Sequence, residues 1–314
     1  MRFLFVMDPA ENMLPDKDTS FAFMRAAIAR GHQLFHCAPE DLSLAGDQLE
    51  VRCTDLKVAD QSPHVVLGST SEFRVAELDA VFIRKDPPFD TAYLHLTQEL
   101  DIGLEQTVVM NHPAGLRAAN EKLFALQFHH LMPRTAVTRD REKIFDFVRD
   151  GGGQAVLKPL DGAGGSGVVA LFENDKNLKA LVDLLTSEGQ EQAMVQEFKP
   201  SVEKGDKRVL LLDGELLGAI RRVPRADDIR ANIHVGGTVE ATELTAREME
   251  IVQQVGPVLR KHGLYFVGLD MIGESLIEIN VTSPTGIQEL GRLTNSCPED
   301  QVIAWVEKKR LSLG

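Results

Sequence analysis

A chain of 314 residues is longer than one hydrophobic core usually serves, so two or three domains are expected. Its 47 Asp and Glu outnumber its 34 Lys and Arg, for a net charge of −13. An acidic chain repels phosphate backbones at long range, which argues against a nucleic-acid partner but not against a small anion in a local basic pocket. Cys37, Cys53 and Cys297 have neither metal-ligand nor redox spacing and read as reduced thiols. The opening MRFLFVMDPAENM is too short an apolar run for a signal peptide, and no stretch approaches the length of a membrane span. A soluble cytoplasmic protein with no membrane partner is predicted.

In chain order, RFLFVMD reads as a buried strand, DKDTSFAFMRAAIARG as a helix capped by Asp18 or Thr19 and ended by Gly31, and QLFHCA as a second strand. Strand–helix–strand order predicts a parallel sheet. Residues 41–76 are polar and fit hairpins; LDAVFIRKDPPFD is a strand entering a Pro-Pro turn, TAYLHLTQELDIG a helix and TVVMN a strand, so a first domain closes near residue 120. NEKLFALQFHHLMP and REKIFDFVRDGG then read as helices, QAVLKPL and VVALF as strands around the loop GAGGSG, and NDKNLKALVDLLTSEG as a helix. AMVQEF, KRVLLLDGELLGAI and YFVGLDMIGESLIEINV are strands and hairpins, ELTAREMEIVQQVGPVLRKHG is a long core-packing helix, and PEDQVIAWVEKKR a short terminal one. His129 and His130, adjacent on a helix, do not share a face and are read as ordinary histidines.

The hairpin VGLDMIGESLIEINV carries carboxylates in an apolar setting. With a three-residue turn at Gly273–Ser275, Asp270 faces Glu278, and alternation puts Asp270, Glu278 and Asn280 on one face and Leu269, Met271, Ile277 and Ile279 on the other. A two-residue turn would mix the faces, so the pattern predicts three. Two cross-strand carboxylates repel unless a cation sits between them, and oxygen donors suit Mg²⁺ or Mn²⁺. A solvated outer face of an antiparallel sheet gives the same alternation.

GAGGSG, Gly162–Gly167, fits G-x-G-x-x-G, but the dinucleotide motif needs a helix directly after it, and here the strand VVALF follows. No lysine follows Gly167, so it is no Walker loop either. A glycine hairpin can still cover phosphates with backbone N–H groups, with Lys158 of the preceding strand reaching the phosphate oxygens. The other reading is a mobile surface hairpin.

NEKLF, LKPLDGAGGSG, VQEF, KGDKRVLLLDGE, VGLDMIG and IEINVTSPTG fall in one order, and together with RKDPPFDT and RANIHVGG they cover almost the whole chain. This order resembles the ATP-grasp superfamily and, within it, prokaryotic-type glutathione synthetase. The resemblance implies an α/β ATP-grasp fold: an N-terminal parallel-sheet (pre-ATP-grasp) domain at 1–120, a central lid domain at 121–192 and a C-terminal catalytic domain at 193–314. It implies ATP held by Lys122, Lys158, the loop glycines Gly162, Gly164, Gly165 and Gly167, the hinge Gln196, Glu197 and Phe198, Asp206 toward the ribose, and Arg208. It implies Mg²⁺ (or Mn²⁺) on Asp270, Glu278 and Asn280, and Lys158, Arg208 and Arg222 as the catalytic cations. The substrate would be met by Arg84, Lys85, Asp86, Arg222, Arg230, Asn232, Gly236, Gly237, Ser283, Thr285 and Gly286, with VPRADDIRANIHVGG as a covering loop.

The implied reaction joins γ-glutamylcysteine to glycine through an acyl phosphate, with ATP becoming ADP and phosphate, and needs no nucleophilic Ser or Cys. The resemblance also implies a homo-oligomer. Alternatives are another ATP-grasp carboxylate–amine ligase with a different substrate pair, an ATP-binding regulatory protein without turnover, and a Rossmann dehydrogenase. RKDPPFD and RANIHVGG, which lie outside the shared nucleotide machinery, argue against the first. The intact Lys122, Lys158, Asp270, Glu278 and Asn280 argue against the second.

Overall fold

The computed structural model describes residues 1–102, 107–162, 164–224 and 237–313. Its first layer runs β1 (Arg2–Val6), α1 (Thr19–Ala29), β2 (Gln33–Cys37), β3 (Leu42–Ala45), β4 (Gln48–Val58), β5 (Val65–Arg74), β6 (Ala80–Ile83), α2 (Thr91–Glu99), β7 (Val108–Met110) and α3 (Pro113–Ala118). β1 pairs in parallel with β2 and β6, and β6 with β7, as strand–helix–strand order predicts. The polar segment 41–76 adds an antiparallel meander through β4, so the sheet is mixed. Asp18 occupies the N-cap position of α1, but its carboxylate accepts from Leu14 N (2.6 Å) instead of capping the helix.

The middle layer holds β8 (Thr135–Thr138), α4 (Arg141–Asp150), β9 (Gln154–Pro159), β10 (Val169–Phe172), α5 (Leu178–Leu185) and β11 (Ala193–Glu197), with strand order β10-β9-β11-β8. β11, which directly follows the expected boundary at 192/193, is hydrogen-bonded on both edges within this sheet.

The last layer is the sheet β14-β13-β12-β15-β16, from β12 (Asp206–Leu212), β13 (Glu215–Val223), β14 (Thr238–Ala241), β15 (Phe266–Ile272) and β16 (Ser275–Asn280), backed by α6 (Ala246–Lys261). Thr245 and Glu248 close a reciprocal capping box at the start of α6. α7 (Ile287–Thr294) and α8 (Pro298–Leu311) follow.

Two apolar cores are shared by the first and last sheets. One joins Leu4, Val6 and Phe35 to Val209, Leu269 and Ile279; the other joins Phe3, Phe23 and Phe82 to Leu210, Phe266 and Ile287. The middle sheet has its own core, with Leu157, Leu171 and Val195 under Ile144 and Val182. Among the described residues no helix is long and apolar enough to cross a membrane.

Candidate active site

A cleft of about 440 Å³ lies between the middle and last sheets, with Asp86 and Pro87 of the first layer at one end. Its floor is the polar face of β15–β16. Asp270 stands opposite Glu278 and Gly268 opposite Asn280, as alternation requires. The turn differs from expectation: Ile272 pairs with Ser275, leaving the two residues Gly273 and Glu274 at φ 53° and 65°. Both central residues in the left-handed region is the hairpin turn that matches strand twist. A bulge then restores the 270–278 pairing by leaving Ile277 as the extra residue. Consequently Ile277 joins Ile272 on the cleft wall, not the apolar back, which Leu269, Met271, Leu276 and Ile279 fill.

The antiparallel β12–β15 register places Arg208 beside Asp270, and the β12–β13 register places Asp206 beside Arg222. Arg208 donates Nε to Asp270 Oδ1 (2.6 Å) and Nη2 to Oδ2 (3.0 Å). Arg222 grips Asp206 at two points, 2.7 and 2.5 Å, and lies 2.9 Å from Asp270 Oδ2. The result is a buried row of alternating charge, Arg208–Asp270–Arg222–Asp206. Burial alone would raise the Asp270 carboxyl, but the two guanidiniums outweigh it and hold it well below the usual carboxylate range. Glu278 faces Lys122, whose Nζ lies 3.2 Å from Oε1 and also donates to Gly162 O (2.6 Å).

Lys158, on β9, donates to Gln196 Oε1 (2.8 Å), and Gln196 in turn donates to Thr135 Oγ1 (3.0 Å). The Gln196 amide is thus fixed by a donor on one side and an acceptor on the other, and it aims the lysine. Burial pushes the Lys158 ammonium down, with the Glu278 charge opposing. Gly162, Gly164 and Gly165 line the cleft in a strand–loop–strand unit, and Gly167 takes φ 71° with Pro159 Cγ only 2.8 Å from where a Cβ would sit. Glu197 and Phe198 line the wall beside them.

The residues expected to face the substrate come from distant segments. Arg84 is buried, donating to Ser20 Oγ (3.0 Å) and Pro284 O (3.2 Å). Lys85 pairs with Asp8 (3.0 Å), and Asp86 lines the cleft. Ser283 (φ 45°) donates to Lys85 O (2.9 Å), Thr285 O accepts from Arg208 (3.1 Å), and Gly286 (φ 115°) opens α7. Gly237 precedes β14; Arg230, Asn232, Gly236 and the rest of 225–236 in the expected covering loop lie outside the described residues.

Sequence reasoning missed Glu121, which lines the cleft and binds the segment after β16. It also missed Asn111, whose buried side chain donates to Phe266 O (2.8 Å) and Val281 O (2.9 Å) and accepts from Tyr265 N (2.7 Å) and Phe266 N (2.8 Å). The only local signal was the polarity of Asn111 at the end of an apolar strand; Glu121, between Asn120 and Lys122, carried none.

Solved structures share the architecture. The D-cycloserine synthetase DcsG is 17% identical with a TM-score of 0.66, covering 99% of this chain and 100% of its own. The ATP-grasp ligase PsnB, complexed with minimal precursor, Mg and ADP, is 18% identical with a TM-score of 0.62, covering 97% of each chain. They establish the ATP-grasp fold. Glutathione synthetases of Thermosynechococcus vestitus and Gloeobacter violaceus are 42% and 43% identical, covering 98% of this chain and 99% and 96% of their own. The models of the prokaryotic glutathione synthetase N-terminal domain and ATP-grasp domain match residues 1–117 and 121–295. With both domains matched in order, the chain belongs to the prokaryotic glutathione synthetase family.

Proposed function

We propose that this protein is an ATP-dependent ligase that joins γ-glutamylcysteine to glycine, forming glutathione with release of ADP and phosphate. The observation that carries the reading is the row Arg208–Asp270–Arg222–Asp206 in one cleft with Lys122 and Lys158: four cations beside carboxylates, in the setting phosphoryl transfer needs. The peptide's cysteine carboxylate is a poor electrophile. Its attack on the γ-phosphorus gives an acyl phosphate and ADP; the glycine amine then adds to the acyl carbon, phosphate leaves with the C–O electron pair, and the amine's protons pass to solvent. Lys158, held by Gln196, and Arg208 and Arg222, which line the same cleft, are the cations placed to stabilise the charge that collects on the transferring group. Glycine-loop N–H groups cover the nucleotide, Gln196–Phe198 and Ile277 flank its base, and Asp86 and the Ser283–Thr285 turn meet the peptide, with Arg84 and Lys85 holding that turn from behind.

The donor set fits a hard divalent cation: Asp270, Glu278 and Asn280 offer oxygen atoms to one cleft wall. These residues would hold Mg²⁺ or Mn²⁺, which neutralises phosphate charge when bound. As the chain stands, Asp270 is shared by two guanidiniums and Glu278 by an ammonium, so incoming phosphates have to draw those cations off the carboxylates. The units proposed are 1–120, 121–197 and 198–314, working as a cytoplasmic homo-oligomer.

The test is phosphate release with ATP, Mg²⁺, γ-glutamylcysteine and glycine, omitting each in turn and weighing the product. Glutathione formed only in the complete mixture is expected. Bound ATP without turnover rejects the substrate pair and points to another carboxylate and amine.

A further inference from the structure

β16 ends at Asn280, and the next two backbone N–H groups leave the ladder without a strand partner. One carboxylate oxygen takes both. Glu121 Oε1 accepts from Val281 N (2.9 Å), Thr282 N (3.0 Å) and Thr282 Oγ1 (2.7 Å). The Glu121 carbonyl also accepts from Ile279 N (3.2 Å). On the far side Asn111 holds Val281 O, so the segment is gripped from two directions. Downstream, Thr282, Ser283, Pro284 and Thr285 form one wall of the cleft. Their later anchors are the Ser283 hydroxyl on Lys85 O, Arg84 on Pro284 O and Arg208 on Thr285 O. The entry to this wall therefore hangs on three hydrogen bonds to one carboxylate oxygen of a residue 160 positions away, in the link between the first and middle layers.

We propose that Glu121 is a positioning residue for the peptide substrate: its carboxylate fixes the Thr282–Thr285 wall, and so sets peptide affinity while leaving the nucleotide side alone. The identity of the peptide rests on the function proposed above. The separation follows from the geometry. Truncating the side chain removes the bonds to residues 281 and 282. It spares the backbone bond to Ile279 and the Lys122–Glu278 pair, which stand on the nucleotide side. A carboxylate that merely satisfied stray N–H groups would affect stability without separating the two substrates.

Steady-state kinetics of E121A, E121Q and T282V decide between them. In E121A the KM for γ-glutamylcysteine is expected to rise about tenfold or more, and kcat/KM for the peptide to fall on the order of 100-fold, with the KM for ATP within about twofold of wild type. E121Q keeps a carbonyl oxygen able to accept from Val281 N and Thr282 N and should recover much of the loss. T282V removes only the hydroxyl donor, so a smaller rise in peptide KM is expected, with little added effect on an E121A background. Peptide and ATP constants rising together, or a folded E121A with unchanged peptide KM, would overturn the proposal. So would E121Q as damaged as E121A. Should E121A not fold, T282V with unchanged peptide KM overturns it. A wild-type protein inactive on γ-glutamylcysteine rejects the proposed function instead, and the same KM comparison is then made with the carboxylate it does use.

Discussion

The first and last sheets share both of their apolar cores, whereas the middle sheet builds a separate core with α4 and α5. Side chains that must keep fixed mutual distances, Arg84, Arg208, Arg222, Asp270, Glu278 and Ser283, sit on the fused pair. Lys158 and the glycine loop sit on the separate layer, tied across by such polar links as Lys122 to Gly162 O and Asn120 to Leu160 O. A layer with its own small core opens at lower free energy than the body it faces. The division teaches that one chain can build a fused body and an independently packed layer by deciding which sheets share a core.

The largest effect should come from separating the fused pair. Asn111, 4% exposed, makes four hydrogen bonds across the two sheets. Asn111→Leu strands two N–H and two C=O groups, each costing about 1–3 kcal/mol when buried unpaired. A loss of ~4 kcal/mol or more, seen as a collapsed thermal transition, is expected. An unchanged transition would show that the apolar cores alone fuse the sheets. Asp270→Asn comes next, because breaking a buried ion pair costs about 3–5 kcal/mol. Since the arginines, against burial, hold the Asp270 pKa below its unfolded value, the charge stabilises the fold above about pH 4. That stability is lost as pH falls through the lowered value. Denaturant titrations should therefore show the gap between wild type and Asp270→Asn widest near neutrality and narrowing below about pH 4; a gap independent of pH would contradict this.

Leu157→Ala probes the separate layer. Leu157 is fully buried in the middle core, and truncation costs about 3 kcal/mol. Hydrogen exchange should quicken in β8–β11 and stay unchanged in β12 and β15. Faster exchange throughout would mean that the middle layer is not an independent unit.

How much of this was legible depended on how local each signal is. The Asp270–Glu278 pairing followed from period-two alternation within one hairpin, and the strand–loop–strand unit around GAGGSG from the β-branched residues after it. The two-residue turn was hidden because Glu274 is no usual left-handed residue and the bulge at Ile277 cancels its register error. α7 was missed: it is eight residues long and its N-cap is a glycine, so it lacks a capping signature. Asn111 and Glu121 find partners more than 150 positions away, and no window of sequence carries such a pairing. The Arg208–Asp270 bond needed the register between β12 and β15, which the connecting helix α6 leaves open.

The smallest effect tests whether the platform's own turn is strained. Glu274 is exposed and holds φ 65°, a conformation that costs a residue with a Cβ about 1–2 kcal/mol. Glycine takes it freely but loses more freedom on folding, about 0.5–1 kcal/mol. Glu274→Gly should therefore stabilise by ~0.5–1 kcal/mol, roughly a 1–4 °C rise in Tm. The residue lies at the far end of the hairpin from Asn280 and does not line the cleft, so kcat and both KM values should hold. Because the turn belongs to the fused pair, the gain should appear as slower exchange in β15 and β16 and not in β8–β11. A gain confined to the middle layer, or a loss of stability, would contradict both the strain at Glu274 and the separation of the two bodies.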